Sequence, residues 1–315
     1  MHKMIVDAGT VAIASHCRPD GDSLGSAVAL RLALLGMGKK TVDIFIDDVI
    51  PKKMSYLADI QKVESPLDIR ADMKYNLLII LDTSSEDRIG KSTELRGIAE
   101  KVLCIDHHMN NRIEADERVV DEGSAATGEI LFSYFTQNKI TITEKMAEAL
   151  YTSLATDTGC FMHPNTTSST HAATSELMKI GANTAHVNYV NFKVYDRRSI
   201  NGVAYVMSNI RFFCDGKIAT VYIPFKIMRK YNLKDDTDRL KNVVCEASGV
   251  RVGAFISEEV RGILHVSLRS HGEVDVAAVA GKFNGGGHKN ASGFVFKGKH
   301  KDLRKQIIAR LKEVV

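Results

Sequence analysis

Val11-Ala12-Ile13-Ala14-Ser15-His16-Cys17-Arg18-Pro19-Asp20-Gly21-Asp22 opens with four apolar residues and passes into a polar, acidic turn. Behind it, Leu24, Ala27, Val28, Ala29 and Leu32 recur at helical spacing between Ser23 and Leu35, and Gly36 and Gly38 stop the pattern. An apolar strand with no alternating polar face, handing over through a turn to a helix, is the opening unit of a βα repeat whose strands are covered on both faces. The pattern returns downstream. Thr41 to Ile46 reads as a second strand, and Leu77-Leu78-Ile79-Ile80-Leu81 and Val102-Leu103-Cys104-Ile105 are continuous apolar runs ending in Asp82 and Asp106. The expected fold class is α/β, with an N-terminal parallel sheet carrying helices on both faces.

Further along, Ala125 to Phe135 reads as a helix. Thr141-Ile142-Thr143-Glu144 reads as a capping box opening another that runs to about Ala155, and Ser169 to Ile180 as a third, stopped by Gly181. From Asn183 to Ser199 the periodicity fades into polar and aromatic residues, which places a connection there. Beyond it, Arg211 to Cys214 and Ile218 to Ile223 flank an Asp215-Gly216 turn, a hairpin signal. Val250 to Ser257 and Ile263 to Ser270 read as a second strand pair, Val274 to Phe283 as a helix, Gly293 to Phe296 as a strand and Lys301 to Val314 as a closing helix. The expected organisation is a first domain over 1–185, a linker over 186–205 and a smaller α+β domain over 206–315.

Composition agrees with two cores. The chain has 315 residues, and domains average roughly 150. Hydrophobic residues are 44% and charged residues 25%, which excludes a disordered or fibrous chain. The net charge of +4 is too small for a surface built to hold long nucleic acid, so an anionic substrate has to be gripped locally. Met1 to Thr10 carries Asp7 and lacks the apolar core of a signal peptide, and nowhere do about 18 apolar residues run together, so the expectation is a cytoplasmic protein without membrane contact. Cys17, Cys104, Cys160, Cys214 and Cys245 are scattered and never form a C-x-x-C pair, which argues against a disulfide framework or a zinc knuckle.

Four polar clusters sit at predicted strand or helix ends: 15–22, Asp82, Asp106-His107-His108 and Asp157-Thr158-Gly159. In open parallel sheets, ligands bind beyond the carboxyl ends of the strands, so these segments can meet in one site. Each has a plainer reading alone: Pro19-Asp20-Gly21 as a turn, Asp82 as a cap, one of the two histidines as a core residue, Asp157 as a helix end. Four such coincidences are less economical than one site. Aspartate and histidine without cysteine suit Mn²⁺, Mg²⁺ or Co²⁺ better than a structural zinc.

The run Ser15-His16-x-x-Pro19-Asp20-Gly21-Asp22-Ser23-x-Gly25-Ser26, with Asp82, Asp106-His107-His108 and Asp157-Thr158-Gly159, resembles the four motifs of the DHH phosphoesterase superfamily. Asn284-Gly285-Gly286-Gly287-His288-Lys289-Asn290-Ala291-Ser292-Gly293 resembles the glycine-rich signature of the C-terminal DHH-associated domain found in RecJ exonucleases and small oligoribonucleases. The chain leaves no room for the added modules of RecJ, so it is most similar to the NrnA-like group. That resemblance implies a metal-dependent phosphodiesterase acting on oligoribonucleotides of about two to five units, releasing mononucleotides and also dephosphorylating 3′-phosphoadenosine 5′-phosphate. Related activities, a cyclic-dinucleotide phosphodiesterase or an inactive nucleotide sensor, stand as alternatives. It implies two divalent cations, Mn²⁺ foremost, held by His16, Asp20, Asp22, Asp82, His107 and Asp157 with Asp82 bridging. His108 would lie beside the water or phosphate, and Asp106 would orient a histidine. Arg269, Gly285, Gly286, Gly287, His288 and Ser292 would hold the substrate's phosphate or terminal nucleotide. Family members are often homodimers, and a homodimer is the expectation here.

Overall fold

The structure, a computed structural model, describes residues 1–70, 72–195, 197–233 and 237–315. It divides into two units, Met1–Val194 and Tyr195–Val315.

The first unit is built on β1 (Thr10–Ala14), β2 (Thr41–Phe45), β3 (Val63–Glu64), β4 (Tyr75–Leu81), β5 (Ala99–Asp106) and β6 (Glu117–Val120). All neighbours are parallel, in the order β3-β2-β1-β4-β5-β6. The order turns back on itself between β1 and β4. Such a switch point leaves a crevice outside the carboxyl ends of the two strands, and those ends carry His16 and Asp82.

Side chains alternate across the sheet. Val11 and Ile13 of β1 join a core with α1 (His2–Asp7), α2 (Gly21–Gly36), α3 (Thr127–Gln137), α4 (Glu144–Asp157), α5 (Ser168–Ile180) and α6 (Thr184–Phe192). Ala12 and Ala14 join a smaller core with Ile89 and Leu95. That face is covered by 3₁₀ helices at Pro66–Asp68, Glu86–Arg88 and Gly90–Ile98, so among the described residues helices lie over both faces, α-helices on one and 3₁₀ helices on the other. The segments over the second face are too short and polar for an α-helical stripe. Within the helical layer α2 approaches α4 closely at Gly25, where a Cβ would collide with the Ala149 carbonyl.

Two local readings change. The cap of α4 is Thr143, whose hydroxyl accepts from the Met146 N–H, so the capping pattern begins two residues later than Thr141. The stretch from Asn183 to Ser199 is not a bare connection, because α6 runs through it. Its periodicity is weak for a physical reason: α6 buries polar groups as well as apolar ones. Asn188 Nδ2 donates to the Tyr151 hydroxyl at 2.8 Å and Asn191 Nδ2 to the Tyr56 hydroxyl at 2.8 Å. The expected linker 186–205 likewise takes in part of a helix, α7 (Ile200–Ser208), while its position 196 lies outside the described residues.

The second unit has β7 (Arg211–Phe213), β8 (Ile218–Ile223), β9 (Val252–Val260), β10 (Ile263–Ser270), β11 (Gly286–His288) and β12 (Ala291–Lys297). They are ordered β11-β12-β10-β9-β8-β7. Every pair is antiparallel except β8–β9. A parallel pair needs a crossover, here α8 (Phe225–Tyr231) and α9 (Thr237–Val243), two short helices that sequence periodicity did not reveal. With α7 they contribute to the core on one face, through Val206, Met228 and Leu240. On the other face lie α10 (Val276–Gly281) and α11 (His300–Lys312), through Val279, Leu303 and Ile307.

Candidate metal centre

The hydroxyl of Ser15, just past β1, donates to the Leu81 carbonyl at 2.8 Å and ties the ends of β1 and β4 together. His16 Nδ1 lies 2.8 Å from the Cys17 carbonyl. A carbonyl only accepts, so Nδ1 carries the proton and Nε2 offers a lone pair, the arrangement that orients a ligating imidazole. That Nε2 stands 3.3 Å from Asp82 Oδ2 and 3.7 Å from Asp20 Oδ2. Asp20 also caps α2: its Oδ1 accepts from the N–H groups of Asp22 and Ser23 at 3.1 and 3.0 Å. The turn-and-cap reading and the ligand reading are therefore both met, by different oxygens of one carboxylate.

Asp22 is buried between two helix starts. Its Oδ2 accepts from the Thr127 N–H at 2.9 Å, and its Oδ1 from Ser26 Oγ at 3.0 Å, Ser153 Oγ at 2.5 Å and the Gly128 N–H at 3.3 Å. Asp82 is a non-glycine residue at φ 53°, a left-handed conformation that costs of order 1–3 kcal/mol and marks functional positions. Burial first, then Asp22 and Asp20, push its carboxyl well above the usual carboxylate range.

His107 Nε2 lies 3.6 Å from each of Asp22 Oδ2, Asp82 Oδ1 and Asp157 Oδ2. Burial would lower its pKa, but Asp22, Asp157 and Asp82 prevail and raise it to about 9. Asp157, the last residue of α4, is pushed up to about 7 by burial and by Asp22. Asp106 points elsewhere: its Oδ1 lies 2.7 Å from His108 Nδ1 and its Oδ2 accepts from Asn111 Nδ2 at 2.7 Å. Burial alone would raise the Asp106 pKa, yet these hydrogen bonds and the histidine's charge hold it below the ordinary value. Asp106 thus orients His108, which also lies near Asp82, with Nδ1 3.6 Å from Asp82 Oδ1.

Three groups could hold cations: His16, Asp20 and Asp82; Asp22, His107 and Asp157; and Asp82, His107 and His108. Asp82 turns Oδ2 toward the first group and Oδ1 toward the other histidines. The donors suit divalent cations. Separations of 3.3–3.7 Å are longer than close hydrogen bonds and match the spacing of neighbouring ligands around an ion with bonds of roughly 2.1 Å. Among the described residues no lysine or arginine pairs with Asp20, Asp22, Asp82 or Asp157. Four crowded carboxylates faced by histidines, with no lysine or arginine among them, make a donor set that a divalent cation fits.

Several residues of this centre escaped the sequence reading: Thr127, Ser153, Asn111 and Asn165, while Ser26 stood in the first motif without a role. Asn165 Nδ2 donates to the Ala125 carbonyl at 3.0 Å and lies 3.5 Å from Asp157 Oδ2. The one available signal was Ala126-Thr127-Gly128, small residues opening a helix where its N–H groups can meet a carboxylate.

In the second unit, Arg269 is the penultimate residue of β10, with Nε donating to Asn242 Oδ1 at 3.3 Å. The glycine run is a short exposed edge strand, β11, paired with β12, and not an open loop. Gly287 lies at φ +138°, and a Cβ there would strike the Ala291 carbonyl at 2.6 Å, whereas Gly286 faces open space. Ser292 is buried and donates to the Val276 carbonyl at 2.7 Å, which fixes the returning strand.

Residues 10–154 match the DHH family, N-terminal domain, and residues 216–315 match the DHHA1 domain. The chain is 30% identical to a probable bifunctional oligoribonuclease and PAP phosphatase NrnA of Streptococcus mutans, covering 90% of this chain and 88% of that protein. It is 28% identical to the bifunctional oligoribonuclease and PAP phosphatase NrnA of Bacillus subtilis, over 90% and 88%. A crystal structure of an exopolyphosphatase-related protein from Bacteroides fragilis superposes with a TM-score of 0.91 at 24% identity, covering 99% of this chain and 94% of that one. RecJ of Thermus thermophilus, crystallised with Mn²⁺, gives 0.54 at 13% identity, over 97% of this chain and 52% of that one. Both structural likenesses concern the fold. Among the described residues no helix is long and apolar enough to cross a membrane.

Proposed function

Since this chain belongs to the DHH family, we propose that it is a metal-dependent phosphoesterase that hydrolyses short oligoribonucleotides to mononucleotides and removes the 3′-phosphate of 3′-phosphoadenosine 5′-phosphate. The observation that carries this reading is Asp82, buried at the switch point with one oxygen toward His16 and the other toward His107. That is the arrangement of a carboxylate shared between two cations, which in two-metal sites stand roughly 3.5–4 Å apart. The names of the NrnA relatives supply the substrate class.

His16, Asp20 and Asp82 would hold one divalent cation, and Asp22, Asp82, His107 and Asp157 a second, with Mn²⁺ the preferred ion. When bound, such ions lower the pKa of a water and neutralise charge developing on phosphoryl oxygens. The chain's own residues set the geometry. Cys17's carbonyl holds His16 in the ligating tautomer, and Thr127, Gly128, Ser26 and Ser153 clamp Asp22 so that its carboxylate stays aimed. His108, oriented by Asp106, would donate a hydrogen bond to the scissile phosphate or its water. In the second unit Arg269, the glycine run Gly285, Gly286 and Gly287, and His288 would take a substrate phosphate; the Gly285 N–H itself donates to the Ala280 carbonyl at 2.9 Å, and Ser292 keeps β11 in register. The small net charge of +4 agrees with short substrates.

Mn²⁺-supplemented protein incubated with labelled diribonucleotides, a long oligoribonucleotide, 3′-phosphoadenosine 5′-phosphate and cyclic di-AMP tests this directly. The expected order places the diribonucleotides and 3′-phosphoadenosine 5′-phosphate far ahead of the long strand. Equal turnover of long and short RNA refutes the length preference, and faster cleavage of cyclic di-AMP replaces the substrate assignment.

A further inference from the structure

β7 pairs with β8 only from Ile218 to Thr220, so the outer edge of β8 is uncovered from Val221 onward. A cavity of about 140 Å³ opens at that gap, lined by Tyr205, Asn209, Arg211, Tyr222, His300 and Arg304 among others. Three of these are cationic or titratable to a cation, and they come from two elements. Arg211 begins β7, while His300 and Arg304 lie four residues apart on one face of the first turns of α11.

Among the described residues none of the three has a hydrogen-bond or ion-pair partner for its charged group. Glu258, the carboxylate whose charge reaches His300, accepts from the Tyr222 hydroxyl at 2.7 Å and from the N–H groups of Phe225 and Gly262. Tyr222 and His300 stack with centroids 3.9 Å apart and planes at 7°, which fixes one wall. Burial lowers the His300 pKa, and Arg304, Lys301 and Arg211 push in the same direction while Glu258 opposes them. α11 adds to the field. It has 13 residues, its first N–H groups lack a side-chain cap, and its dipole is positive at this end.

Arg211 and Arg304 beside the hollow, with Glu258 the carboxylate that opposes them at His300, leave an excess of positive charge that an anion would relieve. The cavity has room for one tetrahedral oxyanion. We propose that this cavity is a second anion site that takes a phosphoryl group, as free phosphate or as the phosphomonoester end of a small molecule. Two guanidinium groups would bind it with charge-assisted hydrogen bonds, His300 would add a third donor, and the aromatic wall would exclude water from one side. The site stands on the β7–β8 edge of the sheet, four strands from β11, and shares no residue with the metal centre or the glycine strand.

NMR titration of the whole protein, with EDTA present, tests the proposal through the ring resonance of His300, assigned with His300→Gln. Inorganic phosphate and AMP are the two probes. The expected result is a saturable shift of His300 that Arg211→Gln/Arg304→Gln weakens at least about tenfold while Mn²⁺-dependent hydrolysis is unchanged. A response of Tyr205 to AMP but not to phosphate identifies a phosphomonoester, and equal responses identify free phosphate. No saturable shift, or one that persists in the double variant, overturns the site. Should the double variant misfold, Arg304→Ser alone is expected to weaken the shift, and an undiminished shift there overturns the proposal as well.

Discussion

The candidate metal centre of the first unit and the glycine strand of the second would handle anions by opposite means. Asp22, Asp82 and Asp106 are buried, each held by several partners. β11 is exposed along its length and tied to the sheet through a single neighbour. A buried carboxylate cluster is an electrostatic liability without its cations, so function there is built into the stability of the unit. An exposed strand of N–H groups costs little to maintain and contributes to binding one contact at a time. Substitutions in the two regions should therefore differ in size and in kind.

The largest effect is expected at Asp82. Asp82→Ala should abolish turnover by about a thousandfold or more, since it removes a carboxylate facing both groups of donors and each cation contributes several kcal/mol. In EDTA, Asp82→Asn should melt at a higher temperature than the natural chain, because a repelled buried charge is gone. Retained activity would break the bridging role. A lower melting temperature in EDTA would show that the cluster is not under charge repulsion.

Next comes the pH dependence of the metal-free protein. Asp157 is raised to about 7 from 3.8, and His107 to about 9 from 6.5. Both bind protons more tightly folded than unfolded, so their contribution is complete below the unfolded values and is lost as pH rises through 7 and then 9. Thermal melts in EDTA should fall between pH 5 and pH 9, while Mn²⁺ should restore stability most at high pH, where its ligands are already deprotonated. A gap between the two melting curves that narrows with rising pH would contradict the ligand assignment.

The smallest effect is expected in the second unit, at Arg269 of β10, two strands from β11. Arg269→Gln should raise KM for the short substrates and cost roughly ten- to a hundredfold in kcat/KM, with melting temperature nearly unchanged. A loss as great as that of Asp82→Ala would erase the contrast between the two regions.

Much of the first unit was legible because its signals are local. Four apolar residues before a polar turn mark β1, and Asp82 and Asp106 mark the ends of β4 and β5 through abrupt changes of hydropathy. The 3₁₀ turns over the second face, α6 with its buried asparagines, and the short α8 and α9 were not legible, since none carries a sustained apolar stripe. The glycine run shows the same limit. Three glycines in sequence suggest a loop, and only pairing with β12 makes them a strand.

By itself the sequence determined the α/β class, the residue types of the metal centre and their family resemblance, because strand ends and motif residues are fixed by neighbours along the chain. The tertiary structure decided how those residues divide their work. Which oxygen of Asp20 caps α2 and which faces His16, that Asp106 serves His108, and that Ser26, Thr127 and Ser153 clamp Asp22 all depend on contacts across the sheet order and between helices. So does the convergence of Arg211 with His300 and Arg304, which lie about ninety positions apart in the chain and meet only because β7 is too short to cover β8. Distant charges acquire a shared environment through packing, and that environment cannot be read from either stretch alone.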